Sequence, residues 1–219
     1  MSSLFMYFPD EPKNETINNA FSILSSTHET VSSFLNIFNN SVNKKAEEVT
    51  EKEQDLLRAI LLFATSGIDS MIKQLIRDAL PNVIENDEGA KVVFSNYIEK
   101  EVFKRDNLNA KLLTSVLISN NPRDILNQQI IMNLTSSSLQ SKDELLKVAS
   151  YFNIPSQNLT NDFILLKQIF DVRNQIAHEM DFDYVNKCRR VRKKEEMIRY
   201  TNEILRIAQV FINEVDKKI

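Results

Sequence analysis

Residues 171–179 read Asp-Val-Arg-Asn-Gln-Ile-Ala-His-Glu, and Arg173, Asn174 and His178 could act together on a phosphodiester. RNA carries its own nucleophile, the 2′-hydroxyl. Its cleavage needs a base for that proton, an acid for the departing 5′-oxygen and a cation for the charge on the phosphate. Histidine suits the proton transfers because it ordinarily titrates near neutrality. Arginine suits the phosphate because its planar fork matches two oxygens and its charge is permanent. Such chemistry needs no metal and no cofactor, and leaves a 2′,3′-cyclic phosphate and a 5′-hydroxyl.

Spacing constrains the arrangement. On a regular helix Asn174 and His178 share a face, whereas Arg173 lies roughly 140° around the axis from His178. Arginine's reach, or a loosened last turn, must bring them together. Each residue also has a purely architectural role open to it. Arg173 could pair with Asp69 or Asp171, His178 could sit against the helix dipole, and Asn174 could be a surface amide. Asp69, within an apolar helix, either orients Arg173 or faces water. About ten positions later, Lys187-Cys188-Arg189-Arg190-Val191-Arg192-Lys193-Lys194 holds six basic residues in eight. This run could be a backbone track for RNA, or simply an exposed helix start or interhelical loop.

These residues require a helix over about Asn161–Glu179, followed by a charged connection and a helix over about Lys194–Asp216. Ile198, Ile204, Leu205, Ala208, Phe211, Ile212 and Val215 form the apolar side of the last helix. Earlier, apolar spacing predicts a helix from about Thr16 to Val42, then a charged stretch over Asn43–Glu53. A central helix runs from about Glu51 to Leu80 and stops at Pro81. Further helices are predicted over about Gly89–Phe103 and Leu108–Ile118. Another starts at Asn121-Pro122, with Asn121 as cap, and one more starts at the Ser141-x-x-Glu144 capping pattern and runs to about Phe152. His28 reads as structural or exposed.

Arg-Asn-x-Ile-Ala-His at the end of a late helix in an all-helical chain resembles the Arg-x4-6-His motif of the HEPN superfamily. The run Leu56–Ala64, followed by Gly67-Ile68-Asp69, is similar to the long second helix of those domains, where an acidic residue often sits amid the apolar face. The resemblance covers mainly residues 50–80 and 160–217, which leaves 82–158 as a helical insertion in a single domain. It implies an all-α antiparallel bundle acting as a dimeric, metal-independent endoribonuclease in a toxin or antiviral-defence setting. Arg173 would hold and neutralise the scissile phosphate, His178 would move protons, Asn174 would orient one of these two side chains or the phosphate, and Asp69 would support. The implied partners are RNA, a second copy of the chain, and an antitoxin or defence-complex protein. The same resemblance extends to non-catalytic relatives that bind RNA or protein without cleaving.

Composition narrows the field further. The chain has two glycines in 219 residues, where an average one would have about 15. Barrels, sandwiches and glycine-loop nucleotide sites are thereby excluded. One cysteine, Cys188, and two histidines rule out a thiolate cage and a histidine-rich metal centre. The net charge of −3 gives no global attraction to nucleic acid. The longest apolar run, Ala59–Ala64, falls short of the ~20 residues a bilayer needs, and Asp10 and Glu11 near a start without basic residues make a poor signal peptide. The sequence therefore predicts a cytoplasmic chain with no membrane partner. Gly67, two residues before Asp69, is expected to let the motif helix pack closely.

Overall fold

The computed structural model describes residues 8–41, 50–104 and 107–219. Its organising element is α2 (Glu51–Asn86). Thr50 caps it: the Thr50 hydroxyl accepts from the Glu53 N–H and Glu53 accepts from the Thr50 N–H, so two orphan donors are satisfied at once. The helix does not stop at Pro81 as expected but continues for five residues beyond it. An interior proline costs about 3 kcal/mol. The turn after it buries Val83 at 0% and Ile84 at 2% exposure, and burying each such side chain contributes about 1.5–3 kcal/mol. Burial thus offsets the lost hydrogen bond.

Before α2 lies α1 (Asn18–Ser41), and the chain ends in α9 (Lys194–Asp216). Between α2 and α9 come α3 (Glu88–Val102), α4 (Ala110–Ile118), α5 (Pro122–Thr135), α6 (Lys142–Tyr151), α7 (Ser156–Leu159) and α8 (Phe163–Glu179). Among the described residues two minimal antiparallel strand pairs interrupt them: β1 (Phe103–Lys104) with β2 (Asn107–Leu108), and β3 (Phe182–Asp183) with β4 (Cys188–Arg189). The fold is all-α, as the sequence predicts. The expected residues of α9 are buried, and one apolar core joins α1, α2, α8 and α9 to the residues of α3, α5 and α6. Asn121 occupies the cap position of α5, but its side chain makes no capping bond. The expected charged stretch lies outside the described residues up to residue 49.

The directions of the helices follow from bonds at their ends. Lys194 at the start of α9 donates to Asn39 near the end of α1, and the Lys13 and Asn14 N–H groups donate to Asp216 at the end of α9. Hence α1 runs antiparallel to α9. Lys218, past the end of α9, pairs with Asp87, past the end of α2, so α2 and α9 run parallel. Asp181, just after α8, meets Arg58 near the start of α2, so α8 is antiparallel to α2. Along the chain α1, α2, α8 and α9 thus alternate in direction, as in an antiparallel bundle, and the β3–β4 hairpin turns the chain from α8 into α9. One end of the bundle gathers the start of α2, the end of α8 and the start of α9, and the Arg–His motif lies there.

By length and composition α2 would suffice to cross a bilayer, which no segment was expected to do. Half of its most apolar window is buried against the protein's own helices, as befits a core helix.

Gly67 does not admit the motif helix. A Cβ there would lie 2.2 Å from Thr27 Oγ1 on α1, so the missing side chain serves the α1–α2 contact. Neither glycine has a positive φ; that backbone falls instead on Asn153, Met180, Asp181 and Lys187. Three of those four lie within nine residues of His178.

Candidate functional site

Asp162 starts α8 by accepting from the Leu165 N–H at 2.8 Å. Leu165, Leu166, Ile169, Phe170 and Ile176 bury one side of the helix. That leaves Asn174 and His178 exposed and Arg173 half-buried near its end. Arg173 NH1 donates to Asn174 Oδ1 at 2.9 Å and lies 3.3 Å from His178 Nε2. The long guanidinium thus spans the angle between helix positions five apart, and all three motif side chains touch. NH1 can donate to Nε2 only when that nitrogen carries its lone pair, which puts the proton of the neutral ring on Nδ1. Arg173 Nε is buried and takes no hydrogen bond among the described residues. Burial pushes the Arg173 guanidinium below its ordinary value, against the opposing pull of the Asp69 carboxylate.

Asp69 acts on Arg173 through that field and not by contact. Its carboxylate accepts from Lys73 Nζ at 2.9 Å and from the Leu139 N–H at 2.6 Å, tying the chain before α6 onto α2. Among the described residues Arg173 makes no ion pair with Asp69 or Asp171. His28 is buried at 7% exposure with its ring edge-to-face on Phe8, on α1 and outside the motif.

The basic run is largely engaged in holding the fold. Arg189 pairs with Asp55 at 2.7 Å and Glu51 at 3.4 Å, Arg190 pairs with Glu179 at 3.4 Å and donates to the Phe182 carbonyl at 2.6 Å. Arg192 pairs with Asp181 and donates to Gln175 Oε1 at 2.7 Å. Lys194 donates to Asn39 at 2.7 Å and lies over the Phe38 ring. Lys187 and Lys193 are exposed and carry no ion pair among the described residues. Six cations in sequence therefore become two free ones in space.

Sequence reasoning missed the cluster beneath the motif. Asp181 is 0% exposed; its carboxylate accepts from Arg58 Nε at 2.9 Å and Arg192 Nε at 3.0 Å. Burial pushes the Arg58 guanidinium down, but its bonds to Asp181 and Asp55 outweigh that and hold it above its ordinary value. Gln54 fixes the approach of Arg192 by accepting from its backbone N–H at 2.7 Å and donating to its carbonyl at 3.0 Å. The available signal was Arg58, a lone cation inside the run Leu56–Ala64, since an arginine in an apolar stripe calls for a carboxylate. Nothing in spacing pointed to which one.

The chain that follows the motif also exposes apolar side chains among its charges. Met180, Tyr184, Val185 and Val191 are 69–88% exposed. A separate groove of about 400 Å³ between α1 and α2 is lined by Ser22, Ser26, Thr30, Phe63, Ser66 and Ser70, among others. None of the side chains that line it is a carboxylate, a histidine, a lysine or an arginine. Comparison with protein-family models, with curated proteins and with solved structures finds no match for this chain.

Proposed function

We propose that this chain is a HEPN-like endoribonuclease, metal-independent and dimeric, of a toxin or antiviral-defence kind. The observation that carries the reading is the contact of Arg173 with both Asn174 and His178. At rest the guanidinium occupies the lone pair of His178 Nε2. A phosphate entering the site draws the Arg173 fork onto its oxygens, where charge-assisted bonds are stronger than a bond to neutral imidazole. Nε2 is then free to take the 2′-hydroxyl proton. The 2′-oxygen bonds to phosphorus, the bond from phosphorus to the 5′-oxygen breaks, and that oxygen receives a proton. Asn174, whose amide oxygen already holds NH1, keeps the fork aligned. The chain has one histidine at this site, so a two-fold dimer placing two motifs in one groove would supply a second histidine as the acid. Lys187 and Lys193 are the cations left to meet the RNA backbone, a small footprint for a strand.

The alternative reading is a non-catalytic HEPN-like module that binds RNA or a protein of a defence or toxin–antitoxin complex. The exposed Met180, Tyr184, Val185 and Val191 beside the motif favour a protein partner for it. The test is to incubate the purified protein with mixed RNA in EDTA, beside Arg173→Ala and His178→Ala. Cleavage by the wild type alone supports the enzyme. Inactivity of all three with retained binding supports the module, and cleavage abolished by EDTA overturns the mechanism.

A further inference from the structure

We infer that Asp181, clamped between Arg58 and Arg192, is a positioning residue that holds His178 against Arg173. The inference deepens the nuclease reading and rests on it for its catalytic consequence, but its physical content stands on the backbone at the end of α8.

That backbone is strained. Met180 and Asp181 are both left-handed, with φ 52° and 58°, a conformation that crowds the Cβ of any residue but glycine. Two in succession persist only where the surroundings over-determine them. The surroundings here are bonds to Asp181. Its N–H donates to the Gln175 carbonyl at 2.8 Å, beside the Met180 N–H on the same oxygen. Its carbonyl accepts from the Arg190 N–H at 2.8 Å. Its buried carboxylate is gripped by an arginine from α2 and another from the chain entering α9. Arg192 also donates to the side chain of Gln175, which lies between Arg173 and His178 in sequence. The clamp therefore grips the motif turn from its backbone and from one of its side chains. His178 itself is exposed, so its place beside Arg173 depends on the turn that Asp181 locks. Without the carboxylate, the two left-handed residues relax, the last turn of α8 opens, and the contact between NH1 and Nε2 is lost.

The test uses the full chain and the ring-nitrogen resonances of its two histidines, His28 and His178. Wild type is expected to show the Nδ1–H tautomer at His178, with Arg173→Ala giving the value of a ring that has lost its partner. Asp181→Asn should move the His178 signal to that of Arg173→Ala while leaving His28 in place. Asp87→Asn breaks a remote ion pair with Lys218; it should lower thermal stability without moving His178, which separates positioning from general support. If Asp181→Asn does not fold, the comparison passes to Arg192→Lys, expected to retain the signal, and Arg192→Gln, expected to lose it. On RNA, the disruptive variants should lower kcat about 10²-fold, as for a reacting group misplaced by an ångström, with KM changed less than about twofold. A folded Asp181→Asn, or Arg192→Gln in its stead, with an unchanged His178 signal overturns the inference. A wild type that cleaves no RNA but shows these shifts overturns the nuclease reading and leaves the positioning role standing.

Discussion

Replacing Gly67 with alanine tests how closely α1 and α2 approach, and its outcome can be worked out in advance. The new Cβ would lie 2.2 Å from Thr27 Oγ1, 2.3 Å from Cγ2 and 2.7 Å from Cβ. Rotating Thr27 moves the first two atoms and breaks the bond from Oγ1 to the Ile23 carbonyl, 2.7 Å long. It does not move the third. Reaching ordinary contact at 3.4 Å therefore needs about 0.7 Å of backbone separation between the helices. Such overpacking costs about 1–3 kcal/mol, and replacing glycine by alanine within a helix returns up to about 1 kcal/mol. With the full return, the net expectation is a destabilisation of up to about 2 kcal/mol, read as a fall in the urea midpoint at unchanged m-value and in Tm by up to about 8 °C for a chain of this size. A double-mutant cycle with Thr27→Gly, which removes all three opposing atoms, should recover most of the loss as a coupling between the two positions. A Gly67→Ala variant more stable than wild type, with an additive cycle, would refute the close approach.

Three further outcomes follow from the ionisable groups. Burial raises the Asp87 carboxyl, but bonds from Lys218, the Ala90 N–H and Asn153 outweigh it and hold the group below its ordinary 3.8. Its stabilising contribution is therefore present above about pH 4 and lost as pH falls through the lower folded value, so Asp87→Asn should flatten the acid limb of a stability profile. Desolvation, and then the bond to Glu196, push the Tyr200 hydroxyl up to about 12 from 10.0. The folded protein should lose about 1–2 kcal/mol between pH 10 and 12, discounted for screening at the rim, and Tyr200→Phe should abolish that loss in alkaline denaturation curves. Lys187→Ala and Lys193→Ala should each reduce the salt dependence of RNA binding by about one counterion with stability unchanged, whereas Arg192→Ala should destabilise, but by less than the ~3–5 kcal/mol of a buried charge left without a partner, because Arg58 still holds Asp181.

The helices were legible wherever local rules act alone. Apolar spacing placed α8 and α9 within two residues, and the Ser141 cap marked the start of α6. Pro81 misled because its local rule is overridden by burial of Val83 and Ile84, which depends on contacts with helices distant in sequence. The motif was legible as residue types at a spacing, and its contact became visible only once arginine's reach had a backbone to start from. The basic run misled for the opposite reason. Arg189, Arg190 and Arg192 read as free charge until Asp55, Glu179 and Asp181 are placed beside them, and no local pattern does that. Scarcity of glycine correctly pointed away from glycine-rich architectures, but it also meant that the left-handed turn after His178 falls on Met180 and Asp181, where no residue type announces it.

The most direct test of the central claim is the chemistry of the ends left on RNA cut in EDTA. If Arg173 grips the phosphate and His178 moves the protons, wild type leaves 5′-hydroxyl and 2′,3′-cyclic phosphate ends, and a single 2′-deoxy nucleotide on the 5′ side of the scissile bond blocks the cut. Ends bearing 5′-phosphate, or cutting that continues past the 2′-deoxy nucleotide, would contradict the account.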